Sequence, residues 1–172
     1  MSSSTLLRGA LPVLLLGGVY ALLMTRLAQG GHVPSATHGL LVAPARYYAV
    51  AALYVAPLCL LLWVTLGGVT CAVARRAGGR ATMVQTLTAL GPAYAWPLTF
   101  LFAVPDLVVL ECWGHGALAG AMPWYAPLAV LWVWVACSRA TSRAHAVSAG
   151  WGWAAATLGL LAQAIPAGLL LR

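Results

Sequence analysis

Long apolar runs separated by short clusters of arginine, glycine and proline set the pattern of this chain. About 17 uncharged residues lie between Arg8 and Arg26, near the lower limit for crossing a hydrocarbon layer of about 30 Å. This predicts a first helix over residues 6–25. Residues 28–45 carry Gly30, Gly31, His32, Pro34, His38 and Pro44 without a helical period, and read as a loop. Tyr47 and Tyr48 resemble interfacial anchors. The next charge-free stretch is about 28 residues, some 42 Å of helix, so a second helix over 47–74 has to tilt, kink at Pro57 or begin among headgroups. It ends on Arg75, Arg76 and Arg80, with Gly78 and Gly79 able to take the positive φ that stops a helix. Thr82 and Gln85 read as a capping box that restarts the chain as a third helix over 83–104, bent by Pro92 and Pro97. Residues 105–115 are too polar to cross and too apolar for a free loop, and are expected in the interface. A fourth helix over 117–137 leads to a second basic turn at 138–145, holding Arg139, Arg143 and His145, and a fifth helix follows over 149–171.

Composition places this pattern in a bilayer. Hydrophobic residues make up 63% of the chain and charged residues 6%, against about 25% charge in a soluble domain. The formal charge of +7 comes from arginines at the edges of apolar runs, which is membrane anchoring rather than a groove for nucleic acid. The lack of lysine beside abundant Ala, Gly, Arg, Pro and Val points to a GC-rich, bacterial genome, and hence to the bacterial inner membrane. Cys59, Cys71, Cys112 and Cys137 form no CxxC pair and give no disulfide scaffold. No small-x-small site follows the first apolar run, so it reads as an uncleaved transmembrane helix.

Five crossings allow the charge bias to be counted. Arg8, Arg75, Arg76, Arg80, Arg139 and Arg143 fall on one side; Arg26, Arg46 and Arg172 fall on the other, with both acids, Asp106 and Glu111. The positive-inside rule then predicts a cytoplasmic N-terminus and an external C-terminus. The expected fold is an all-α membrane protein, a single domain over residues 1–172 formed by a bundle of five transmembrane helices.

An apolar helix ending in a basic turn, then Gly78 and Gly79, a polar helix start at 82–86 and a unit from Tyr94 to Pro97 resemble the Yip1-domain family of five-helix membrane proteins. Arg143, Ala144, His145, Ala146, Val147 and Ser148 before an Ala-rich fifth helix are similar to that family's second cytoplasmic turn. The likeness covers most of the chain after Arg46, and the first helix fits in position only. In eukaryotic members the family implies vesicle trafficking and small-GTPase contacts, a role that goes with a long polar N-terminal region. Only residues 1–8 precede the membrane here, so the chain looks like the bacterial type, for which no chemistry is implied.

Candidate chemistry is sparse. His32, His38, Asp106, Glu111, Cys112 and His115 gather on the outer side; a helix there would bring Glu111 and Cys112 to the same side as His115, a donor set suited to zinc or copper. No HxH or HExxH pattern supports it, and scattered polar groups in a wet loop are the plainer reading. Asp106 beside Pro105 reads as a helix cap more readily than as a proton carrier. Ser148 with His145 lacks an orienting acid on its side of the membrane. The arginine turns, Arg75, Arg76 and Arg80 with Arg139 and Arg143, are the candidate site for anionic lipid headgroups or a partner's acidic segment, set against simple orientation of the chain. Neither a cofactor nor a catalytic or metal residue is expected.

The functional expectation is a non-catalytic, multi-pass accessory or scaffolding subunit, packed against a partner membrane protein or its own copies. The alternative is a small-solute transporter or permease. Small residues and threonines in the apolar runs favour helix packing, so a bulky Ile at Gly67, Gly68 or Gly159 is expected to disturb it. Gly116 and Gly120, the one GxxxG pair, carry little weight.

Overall fold

A computed structural model describes residues 3–34 and 42–170. His38 and Arg172 lie outside the described residues. The chain folds into helices α1 (Ser3–Gln29), α2 (Tyr47–Arg76), α3 (Met83–Leu98), α4 (Val104–Trp113), α5 (His115–His145) and α6 (Ala149–Leu170), with a short 3-10 turn at Pro44–Arg46 before α2. A wide π turn, Thr99–Ala103, joins α3 to α4, so these two form one rod from Met83 to Trp113, and among the described residues the long helices number five. Four of them, α1, α2, the α3–α4 rod and α5, are long and apolar enough to cross a membrane. The protein is a helical membrane protein.

Two expectations are corrected. Residues 105–115 do not form a separate interfacial segment: α3 continues through the π turn into α4 and stops at Trp113, where Gly114 has φ +80°. Pro105 lacks an N–H and crowds the carbonyl four residues back, which in a regular α-helix would bend or break it. The π turn, closed by Val104 N–H donating to Thr99 O, widens the ladder just before it and lets the rod continue. Residues 138–145 do not form a turn either. They are the last two turns of α5, and the chain reverses over Ala146, Val147 and Ser148, with Ala146 left-handed at φ 53°.

The helices close into a ring in the order α1, α2, α6, α5, α3 and back to α1, and α2 also meets α3 across it. The centre is filled by Leu66, Leu90, Trp63, Tyr94, Val133 and Cys137, all buried. Arg75, Arg76, Arg80, Arg139 and Arg143 stand at one end of this bundle, the basic end; Asp106 and Glu111 belong to α4, toward the other, the acidic end.

Without a hydrophobic force between helices in lipid, close approach and interhelical hydrogen bonds have to hold the ring. Glycines supply the approach. A Cβ on Gly91 of α3 would lie 2.0 Å from Gly9 O of α1, and one on Gly17 would lie 2.7 Å from Ala56 Cα of α2. On α6, a Cβ at Gly159 would meet Thr70 Oγ1 at 2.5 Å, and one at Gly152 would meet Ser138 O at 2.7 Å. Gly67 is filled by Leu87, whose Cδ2 would be 2.4 Å away, whereas Gly68 meets only the flexible end of Met83 at 3.7 Å. Gly116 and Gly120 face open space. Hydrogen bonds add the ties: Trp63 Nε1–H donates to Leu87 O (3.1 Å), Thr70 Oγ1 to Ala155 O (3.3 Å) and Thr88 Oγ1 to Thr5 O (3.1 Å).

Candidate functional site

The basic end is built on the turn between α2 and α3. Gly78 has φ +85°, its N–H donates to Arg75 O, and Gly79 N–H donates to Ala74 O, the paired bonds of a Schellman motif. The capping box then starts α3, with Gln85 N–H on Thr82 Oγ1 (3.3 Å) and Thr82 N–H on Gln85 Oε1 (2.8 Å). Of the two glycines only Gly78 is needed for its conformation. Gly79 is needed for space, because a Cβ there would sit 2.7 Å from His145 Nδ1.

His145 was not singled out as a structural centre by the sequence, yet it anchors this end. It is buried, its Nε2 lies 2.9 Å from Thr86 Oγ1, and its carbonyl accepts from Arg80 N–H (3.4 Å). Thr86 Oγ1 also donates to Thr82 O at 2.9 Å. With the threonine proton placed there, His145 Nε2–H is the donor to Thr86 and Nδ1 is the bare nitrogen, which has no hydrogen-bond partner. His145 is therefore turned toward Thr86, into the α2–α3–α5 junction. Helical spacing could not reveal this, since the partners lie 59 residues apart.

The five arginines separate into two groups. Arg75, Arg76 and Arg80 are exposed around the α2–α3 turn, with Arg75 Nε–H donating to Ala81 O at 3.3 Å. Arg139 and Arg143 are exposed one helical turn apart on α5, and both line a groove against Ala89, Pro92 and Ala93 of α3. The α2–α3 turn and the end of α5 are joined through the backbone of Arg80 and His145.

At the acidic end, Arg26 Nε lies 3.4 Å from Glu111 Oε1, with both side chains about half exposed. The rings of His32 and His115 stack at 4.5 Å, and Tyr48 stands edge-on to His115. Gly114 ends α4 before His115, so the helical spacing expected to align Glu111 and Cys112 with His115 is not realised. Among the described residues no three of His, Cys, Asp and Glu converge as a metal site.

Asp106 is buried rather than a cap at a helix end; it accepts a hydrogen bond from Tyr125 OH of α5. Phe102 packs on both Tyr20 and Tyr125, so this knot joins α1, the π turn, α4 and α5. Beyond it α5 loses cover. From His115 to Leu128 no residue is buried, while Ala129, Val133, Cys137, Thr141 and His145 are buried at every fourth position thereafter. Open apolar grooves flank the uncovered half: one of about 580 Å³ against α4, lined by Trp113, Trp124 and Tyr125, and one of about 800 Å³ against α6, lined by Pro127, Val130 and Trp134. The chain matches no protein-family model, and neither a curated protein nor a solved structure shows significant similarity to it.

Proposed function

We propose that this protein crosses a bacterial inner membrane five times, with its N-terminus in the cytoplasm and its C-terminus outside, and serves as a non-catalytic accessory or scaffolding subunit. The observation that supports this most is the uncovered half of α5. Trp124 is 81% exposed and lines one of the two apolar grooves, on a helix whose other half is packed on every fourth residue. The occupant that fits is a transmembrane helix of a partner protein, laid along 117–131. Tryptophan offers wide contact area at small entropic cost. The likeness to bacterial-type Yip1-domain proteins belongs to this reading and rests on the basic turn with Gly78 and Gly79, the helix start at 82–86, the unit from Tyr94 to Pro97 and residues 143–148.

The test compares two triple variants. Replacing Trp124, Leu128 and Val130 by Ala should release the partner on purification in mild detergent and abolish the cellular role. Replacing Asp106, Glu111 and His115 by Asn, Gln and Gln should leave both largely intact. The second reading, a small-solute permease, is favoured by one observation, the buried Asp106 on Tyr125, because an ionisable group inside a span marks a pathway by default. Loss of function in the polar variant with the α5 variant silent would select it.

A further inference from the structure

The groove that Arg139 and Arg143 line has a second compartment. The first holds about 370 Å³ between α5 and the small residues Ala89, Pro92 and Ala93 of α3. The second holds about 530 Å³ and is walled by Leu101, Leu128 and Leu131. Trp132, Val135 and Arg139 line both, so the two are adjoining parts of one path. From Arg139 to Leu128 the path runs about 16 Å along α5, close to the depth of one leaflet, about 15 Å. It is cationic at the membrane surface and wholly apolar below.

Three further facts narrow the occupant. The chain has only two acidic side chains; Asp106 takes its bond from Tyr125 and Glu111 pairs with Arg26. Both lie in α4, so no carboxylate side chain of this protein neutralises Arg139 or Arg143. Trp132 is 59% exposed near the midpoint of α5, away from the interface where membrane tryptophans usually sit. Finally, below Arg139 the path is lined only by Leu101, Leu128, Leu131, Trp132 and Val135, which suits an acyl chain.

We infer that this groove holds one anionic phospholipid of the leaflet at the basic end, its phosphate on Arg139 and Arg143 and an acyl chain along Trp132 to Leu128. Two guanidinium groups one turn apart present several donors to one phosphate, and the apolar path below them restricts the ligand to an amphiphile. The headgroup end at Arg139 and Arg143 lies on the opposite half of α5 from Trp124, while the foot of the acyl path, at Leu128 and Leu131, borders the proposed partner surface; the lipid site does not depend on that reading.

The full-length protein in nanodiscs of equal dioleoylphosphatidylglycerol and dioleoylphosphatidylcholine tests this by native mass spectrometry after release. The wild type should retain phosphatidylglycerol at least about tenfold over phosphatidylcholine. Arg139→Gln with Arg143→Gln should lose that preference, and Ala93→Phe, which fills the groove and keeps both charges, should lower retention of the lipid. Arg75→Gln with Arg76→Gln should retain it. Circular dichroism and monodispersity confirm that each variant is folded, and the Arg139→Lys, Arg143→Lys pair should keep part of the preference. No preference in the wild type overturns the inference, as does loss only in the Arg75, Arg76 variant. So does full competition by soluble glycerophosphoglycerol at millimolar concentration, which would assign the arginines to a free phosphate.

Discussion

The two halves of α5 face the same solvent system and are of similar composition in apolar residues, yet one is closed and the other open. In the basic-end half, a Cβ on Gly152 would collide with Ser138 O, Trp134 Nε1–H donates to Thr157 Oγ1 at 2.8 Å, and His145 locks onto Thr86. In the acidic-end half, Gly116 and Gly120 approach nothing, and Tyr125 bonds to Asp106 while its neighbours remain uncovered. Apolar character is present in both and distinguishes neither, because lipid tails are as apolar as the side chains. Close backbone approach separates them. A half held by the single Tyr125–Asp106 bond, without close approach at its glycines, is free to pack on something else.

The largest effect should come from the closest approach. Gly91→Ile drives a side chain into Gly9 O and should destabilise the bundle by about 3 kcal/mol or more, read as a fall in the SDS midpoint in mixed micelles. Gly159→Ile should follow it, Gly68→Ile should be mild, and Gly120→Ile should change nothing measurable. If Gly120→Ile proves as damaging as Gly91→Ile, the contrast between the halves is lost. Next, His145→Ala leaves Thr86 without its partner and opens space beside Gly79, and should cost about 2 kcal/mol. A double-mutant cycle with Thr86→Val should return a coupling of about 1 kcal/mol; additivity would show that the two do not interact.

A smaller change has the opposite sign. Ala146 is the one described non-glycine residue with positive φ, and Ala146→Gly should stabilise the protein by about 1 kcal/mol. The smallest belongs to the acidic end, where the half-exposed Arg26–Glu111 pair should contribute at most about 0.5 kcal/mol and vanish at high salt.

How much was legible in the sequence follows the same physics. Charges and turn chemistry act locally, so the Schellman turn at Gly78, the capping box at Thr82 and Gln85, and the start of α6 at Ala149 could all be read in place. Residues 105–115 misled because their acids look too polar for a span, although a π turn five residues long carries the helix on past Pro105 and Asp106 is buried against Tyr125. Residues 138–145 misled because arginine and serine look like a loop, although a helix emerging at a membrane surface carries them on its exposed side while Ser138, Thr141 and His145 stay buried. Which glycine is tight was not readable: Gly67 and Gly68 are neighbours in a helix apolar all round, and only the packing of Leu87 tells them apart. The His145–Thr86 and Asp106–Tyr125 pairs join distant stretches and leave no local mark. The groove that Arg139 and Arg143 share with Ala89, Pro92 and Ala93 of α3 likewise exists only in the folded bundle.

The uncovered half of α5 can be tested directly by photocrosslinking in native membranes, with a photoreactive residue placed in turn at 117–131 and at the control positions Leu53 and Leu61 of α2. The account predicts one discrete crosslinked species, recurring with helical period through Ala117, Ala121 and Trp124 and absent from the controls. Crosslinks spread evenly over α5 and α2, or to lipid alone at every position, would contradict it.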